Sequence, residues 1–251
     1  MSSSERLRLP DVVELHAVSN FSFLRGASHP EELVHRALAL GYRGLALTDD
    51  CSLAGVVRAH LALSEARQAG VPGADHFQLL IGSEFAVHEG PDAHAPPAFD
   101  LIVLACHRLG YGLLCEFITR LRRGVVGKGQ VRLQRADIHP AALGDCVVLL
   151  RPRRGTSWSS LLAQARWLRR RFPGRSWLAV ELHHSLDDAL WLHTLRALSE
   201  ATEVPLVAAG DVHMHVRSRQ PLQDVLTAIR LGRPLSECGL DLARHAERHL
   251  R

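Results

Sequence analysis

Carboxylates and imidazoles recur at the ends of short apolar runs in this chain, and their types suit divalent-metal chemistry. His16 closes the run 12–17, Asp49 and Asp50 follow 44–47, and Glu84 closes 79–85. Glu181 and His183 end the run 177–181, and Asp211 and His213 follow 206–209. Asp100 begins the run 101–105 rather than ending it. Oxygen and imidazole donors gathered at one point are what a divalent transition metal requires. A cluster of such ions lowers the pKa of a bound water and supports phosphoester hydrolysis. Each residue taken alone has a plainer reading. An Asp after a strand serves as a turn or helix-cap residue, and a lone His is commonly a satisfied core or surface group.

The elements that must position these groups alternate. Seven apolar runs read as strands: 12–17, 44–47, 79–85, 101–105, 146–150, 177–181 and 206–209. Amphipathic helical stretches lie between or after them. The first is capped by Ser28, with Pro30 in its first turn and Glu31 completing a capping box, and ends at Gly41. Others span 53–69, 111–123, 158–172, 186–200 and 222–231. Such alternation predicts a parallel sheet buried on both faces. Seven strands suit a closed α/β barrel, and in such barrels functional groups gather where strands end. Residues 87–98, rich in Pro, His and acids, and 122–134, rich in Gly, Arg and Lys, read as mobile loops. The stretch 240–251 reads as a charged helix without a C-cap, the pattern of a chain that continues past Arg251. The domain reading is 1–239 for the barrel and 240–251 for a connection.

Composition narrows the class. The chain has 251 residues, 47% of them apolar, which excludes a disordered polymer. The formal charge is +4, mildly basic and undecided between nucleic-acid work and arginine-rich composition. Five cysteines, Cys51, Cys106, Cys115, Cys146 and Cys238, form no CxxC pair, so a zinc ribbon is not expected. Neither a signal peptide nor a membrane span is legible, and the reading is a cytoplasmic protein with no membrane partner. Gly124 to Gly129 is Gly-rich with Lys128 but lacks P-loop spacing, so it reads as a loop. Arg120, Arg122, Arg123, Lys128, Arg132 and Arg135 read first as a solvated basic face and second as a phosphate-backbone contact. No Gly-x-Ser-x-Gly elbow is present. The Pro-Asp-x-Asp pattern of a polymerase palm is also missing, since Pro91-Asp92 is followed by Ala93-His94.

Several segments resemble one family closely. Glu14-Leu15-His16-Ala17-Val18-Ser19-Asn20-Phe21-Ser22-Phe23-Leu24-Arg25-Gly26-Ala27-Ser28 resembles the opening motif of PHP domains (polymerase and histidinol phosphatase) in bacterial C-family DNA polymerases. Ala46-Leu47-Thr48-Asp49-Asp50 with Leu53-Ala54-Gly55, and Ile81-Gly82-Ser83-Glu84-Phe85, are similar to later motifs. Val207-Ala208-Ala209-Gly210-Asp211-Val212-His213 and Asp224-Val225-Leu226-Thr227-Ala228-Ile229-Arg230 follow in the family's order. The wording around His16 and 22–28 is most similar to the error-prone, damage-induced branch.

The resemblance implies a distorted seven-stranded (β/α) barrel of the metallo-dependent hydrolase type. It implies a longer parent that synthesises DNA across damage with magnesium, its palm carboxylates lying outside this chain. It also implies departures from an intact metal site. Val18 stands where a second His belongs, Arg25 where an acid belongs, Asp50 and Asp100 where histidines belong, and a ligand near Leu150-Arg151-Pro152 is replaced. His16, Glu84, Asp211 and His213 remain as a residual set for zinc or manganese, with Asp49, Asp50 and Asp100 as further oxygen ligands. Arg25 brings positive charge into the cluster and is expected to neutralise the acids. The expectation is a structural domain with a degraded metal site and no catalytic residue of its own. Its partners would be the polymerase body, DNA through that body, and mutagenesis accessory proteins. Two rivals stand beside it: a free-standing PHP-type metal-dependent phosphoesterase and a non-enzymatic interaction module. The late helix, with Leu222, Val225, Leu226 and Ile229 at helical spacing, reads either as barrel core or as an apolar face for the polymerase body.

Overall fold

The computed structural model describes residues 11–90, 92, 95–124, 131–242 and 246–251. All seven expected strands form: Val13–Ala17 (β1), Gly44–Leu47 (β2), Gln78–His88 (β3), Phe99–Ala105 (β4), Cys146–Pro152 (β6), Ser176–Val180 (β7) and Leu206–Ala208 (β8). A two-residue strand, Leu133–Gln134 (β5), pairs with β3 inside the stretch read as a loop. The sheet order is β1-β2-β3-β4-β6-β7-β8. A parallel bridge between Ala17 and Val212 joins the two ends, so the barrel is nearly closed.

The sheet is not wholly parallel. β4 runs antiparallel to both β3 and β6, while the other neighbours on the path are parallel. The cause is the short β3–β4 connection. Residues 89–98 hold no helix among those described, and a parallel return needs a crossover of a dozen or more residues. Reversal brings the start of β4 to the same rim as the ends of its neighbours.

The helices are Pro30–Ala39 (α1), Val56–Gln68 (α2), Arg108–Arg123 (α3), Trp158–Arg171 (α4), Asp188–Thr202 (α5), Gln220–Leu231 (α6) and the short Leu235–Cys238 (α7). Their apolar stripes build two outer cores. Leu33, Val34, Ala37, Ala59 and Leu63 pack on β1 and β2, and Leu114, Phe117, Leu161, Leu168, Leu195 and Leu198 pack on the other side. Ala46, Ile102, Leu104, Leu149 and Ala179 form a smaller third cluster from four strands. Burying one such large apolar side chain contributes about 1.5–3 kcal/mol.

Several boundaries differ from the sequence reading. His29, not Ser28, is the N-cap of α1, and its N–H donates to Glu32 Oε2 at 2.8 Å. Ser28 Oγ instead accepts from the His215 N–H at 2.8 Å. Val87 and His88 belong to β3 rather than a loop. Most of the Gly-rich stretch, including Lys128, lies outside the described residues. The charged helix read over 240–251 does not form among the described residues. Residues 239–241 make one 3-10 turn, and Met214 bridges His249 in a strand-like pairing.

Candidate metal centre

The barrel mouth is built from strand ends. His16 is the fourth residue of β1 and fully buried. Glu84 sits in β3 and Glu181 just after β7, both almost without exposure. Asp211 follows β8 in the left-handed region, φ 45°, a costly conformation that Asp tolerates better than most residues. Asp100 joins them because β4 is reversed. It pairs in register with Arg151 of β6. The turn after β1 depends on Gly26, since a Cβ there would lie 2.0 Å from the Ser19 carbonyl oxygen. That turn carries Arg25 back over the mouth.

Donor atoms of His16, Glu181 and Asp211 lie within 4.8 Å of one another. His16 Nδ1 is 2.6 Å from Glu181 Oε1 and 3.8 Å from Asp211 Oδ1, and His16 Nε2 is 3.5 Å from Glu84 Oε2. Guanidinium groups fill the rest. Arg25 Nη1 is 2.7 Å from Glu84 Oε2. Arg151 reaches four carboxylates: Asp100 at 2.7 Å, Glu84 at 3.0 Å, Glu181 at 3.6 Å and Asp211 at 3.7 Å. Arg248 Nη1 is 2.6 Å from Asp211 Oδ2, and Arg153 Nη2 is 2.7 Å from Asp100 Oδ1.

These contacts set the protonation states. Burial alone would depress His16, but Glu181 and Glu84 outweigh it and lift the imidazole to about 10. Burial would raise Glu84 and Asp211. Arg25, Arg151 and His16 hold the first well below the carboxylate range, and Arg248 and Arg151 hold the second there. Burial pushes His213 down to about 4 despite Asp211. At neutral pH it is therefore neutral, and its 2.9 Å contact from Nε2 to Asp211 Oδ1 is a hydrogen bond rather than an ion pair. Glu84, Asp100, Glu181 and Asp211 thus face Arg25, Arg151, Arg153 and Arg248, four carboxyl groups against four guanidinium groups, with a protonated His16 beside them.

The donor set fits one cation and not several. His16 Nε2 is buried without a hydrogen-bond partner, and Asp211 Oδ2, though ion-paired by distance, has none in hydrogen-bonding geometry. A second or third dication would have to occupy the space beside Glu84 and Asp100, where Arg25 and Arg151 already lie. Like charges at that spacing in a dry site repel strongly.

The residues singled out from sequence divide. His16, Glu84, Asp100, Asp211 and His213 meet as read, and Arg25 contacts Glu84. Asp49 does not join them. Its oxygens accept from the Ser19 N–H and the Ser19 and Ser22 hydroxyls at 2.7–3.0 Å, which holds the turn after β1. Asp50 is exposed at the rim beside Glu84, to which it is bridged. His183 Nε2 lies 3.0 Å from the Gly210 carbonyl, outside the cluster. In the sequence Arg151 stands only where a ligand is replaced, and Arg248 belongs to no motif. Glu14 was missed too. It accepts from the His16 and Gly210 N–H groups at 2.8 and 2.7 Å, and burial lifts its carboxyl to about 7. The basic face is largely paired: Arg120 meets Glu116, Arg122 the Cys51 carbonyl, and Arg135 Glu89.

The family model for the PHP domain matches residues 14–143. The chain is 50% identical to the error-prone DNA polymerase of Bordetella parapertussis over 97% of its own length and 23% of that protein's. It is 52% identical to the error-prone DNA polymerase of Methylococcus capsulatus over 95% of its length and 21% of that protein's. It therefore spans less than a quarter of the curated relatives it matches. Among solved structures, a Bifidobacterium adolescentis protein described as a metal-dependent phosphoesterase shares 15% identity with a TM-score of 0.54, covering 82% of this chain and 88% of that one. An amidohydrolase from Chromobacterium violaceum, solved with sulfate and no metal, shares 16% with the same score, covering 80% and 87%. These two support the fold alone. With the barrel, the ligand-type residues at its mouth and the family match in agreement, the chain belongs to the PHP domain family.

Proposed function

We propose that this chain is the PHP part of an error-prone DNA polymerase acting in repair and translesion synthesis in the cytoplasm, and that it serves there as a structural platform. In the parent, DNA synthesis with dNTPs and magnesium falls to regions outside these residues. The observation that carries the platform reading is the pair Arg25 and Arg151 lodged among Glu84, Asp100, Glu181 and Asp211. Guanidinium groups supply the counter-charge that a metal cluster would otherwise give, so the fold holds without hydrolytic chemistry.

Helix α6 supports a packing role. Its polar Gln223 and Thr227 point inward and are 6% and 5% exposed, whereas Val225 and Ile229 are 43% and 58% exposed. A free domain would place these the other way round. Beside this face, Phe23, Leu24, Leu222 and Leu226 line a cleft of about 220 Å³ together with Arg219, whose charge is paired by Glu32. This apolar face suits the polymerase body better than DNA, which would call for cations.

A single-cation phosphoesterase is the second reading, favoured by the His16–Glu181–Asp211 grouping. One experiment separates the two. The purified chain is assayed against a nitrophenyl phosphate ester and a short DNA strand with zinc, manganese or magnesium. No turnover is expected. Turnover that vanishes in His16→Ala and scales with added metal establishes the phosphoesterase instead.

A further inference from the structure

The residues that follow α7 return to the barrel mouth, and the way they attach has a bearing on metal binding. The stretch Asp211–Met214 has partners on both sides. On one side the Val212 N–H donates to the His16 carbonyl at 2.9 Å, and the Val18 N–H donates to the Val212 carbonyl at 2.8 Å. On the other side the His213 and Met214 N–H groups donate to the Arg248 carbonyl at 2.9 and 3.2 Å, and the Leu250 N–H donates to the Met214 carbonyl at 3.3 Å. Leu250 is fully buried in the core of β1, β2, α1 and α2. Arg251 donates to the Leu182 carbonyl at 2.9 Å, and the Tyr42 hydroxyl donates to the Arg251 carbonyl at 2.5 Å. Residues 246–251 are thus a strap laid along the seam of the barrel.

The strap delivers one charge into the mouth. Arg248 Nη1 is 2.6 Å from Asp211 Oδ2 and 3.2 Å from His213 Nε2. Asp211 is also one of the three residues whose donors could hold a cation. Arg248 holds Oδ2 while Oδ1 faces His16, and a guanidinium and a dication on the two oxygens of one carboxylate in a water-poor site repel each other, so each weakens the binding of the other.

We propose that Arg248 and a divalent cation compete for Asp211, so that a cation entering the His16–Glu181–Asp211 site expels the guanidinium and loosens the strap. The occupancy of the mouth is then read out on the segment that leads away from the barrel. This inference needs the single-cation fit and holds whether or not the site hydrolyses anything.

The test is hydrogen exchange by mass spectrometry on the full 251-residue chain, first with chelator and then across a zinc chloride titration. Peptides covering His213–Met214 and Leu250 are expected to lose protection as zinc saturates. In parallel, Arg248→Gln should bind zinc about tenfold more tightly, the effect of removing one competing charge. Zinc binding with the strap still protected overturns the proposal, as does equal affinity in the two proteins or no zinc bound by either. Should Arg248→Gln fail to fold, the exchange titration of the unmodified chain decides alone.

Discussion

Arg151 and Asp100 face each other across the antiparallel β4–β6 ladder, and their side chains meet at 2.7 Å. This pairing exists because one strand of the barrel is reversed. It places a cation from β6 where it also reaches Glu84, Glu181 and Asp211. Arg151 is therefore the hub of the mouth, and Arg25 covers one of its spokes.

Removing the hub should cost more than removing the spoke. Arg151→Ala takes one partner from each of four carboxylates, Arg25→Ala chiefly from Glu84. Breaking one side of a buried ion cluster costs about 3–5 kcal/mol. Arg151→Ala is expected at or above the top of that range and Arg25→Ala at its lower end, with no chelator effect on the unmodified chain. Urea melts check the order. Losses under about 1 kcal/mol for both would place these arginines among ordinary surface pairs.

Charge reversal at Arg25 should convert the domain into a metal-dependent one. Arg25→Glu sets a second carboxylate beside Glu84, so the mouth gains two negative charges and needs a counter-ion. Its melting temperature is expected to rise with added zinc and fall with chelator, and to do so more steeply than that of the unmodified chain, where a cation must first displace Arg248. A chelator-insensitive Arg25→Glu protein would mean that solvent already screens the site.

The alkaline limb of stability should belong to His16. Its pKa is lifted from 6.5 to about 10 in the folded state. A raised pKa means the folded state holds its proton more tightly, so the contribution is complete below about pH 6.5. It is lost as pH rises toward 10. The shift corresponds to several kcal/mol, on the order of 1.4 per pH unit. In chelated protein the denaturation midpoint is expected to fall over that window, and His16→Gln should flatten it. An unchanged slope in the variant would assign the titration elsewhere.

Polar substitutions on α6 should be silent in this chain alone. Val225→Ser and Ile229→Asp alter side chains that face solvent, so stability should move by no more than about 0.5 kcal/mol. Binding of a hydrophobic dye should drop. A loss of several kcal/mol would return these residues to the barrel core.

Much of the fold was legible because its strands are short apolar runs bounded by turn residues, and all seven formed within a few residues of their expected bounds. The reversal of β4 was legible in principle, since no helix was read between the runs ending at Phe85 and beginning at Leu101. The periodicity of a buried strand carries no sign of direction, so strand alternation alone suggested a parallel sheet. The surviving ligands were legible from their places at strand ends and from motif resemblance. Arg151 and Arg248 were not, because a guanidinium at the end of a long side chain leaves no local pattern. Its target is fixed only by folding, and Arg248 reaches Asp211 from 37 residues further along the chain. Asp49 misled for the opposite reason: its place after β2 is that of a ligand, yet Ser19 and Ser22 turn it into a brace.

The pairing of four carboxyl groups with four guanidinium groups at the mouth also bears on how this domain comes into being. A metal cluster must be recruited from solution, at a concentration the cell controls, and a chain awaiting it carries clustered carboxylates that repel one another. Arginines on the same chain arrive at fixed stoichiometry with their partners and cannot be stripped by a chelator. Their counter-charge is present from the moment residue 248 is translated, so maturation of this barrel is freed from metal homeostasis. Depletion of zinc or manganese would leave its fold intact.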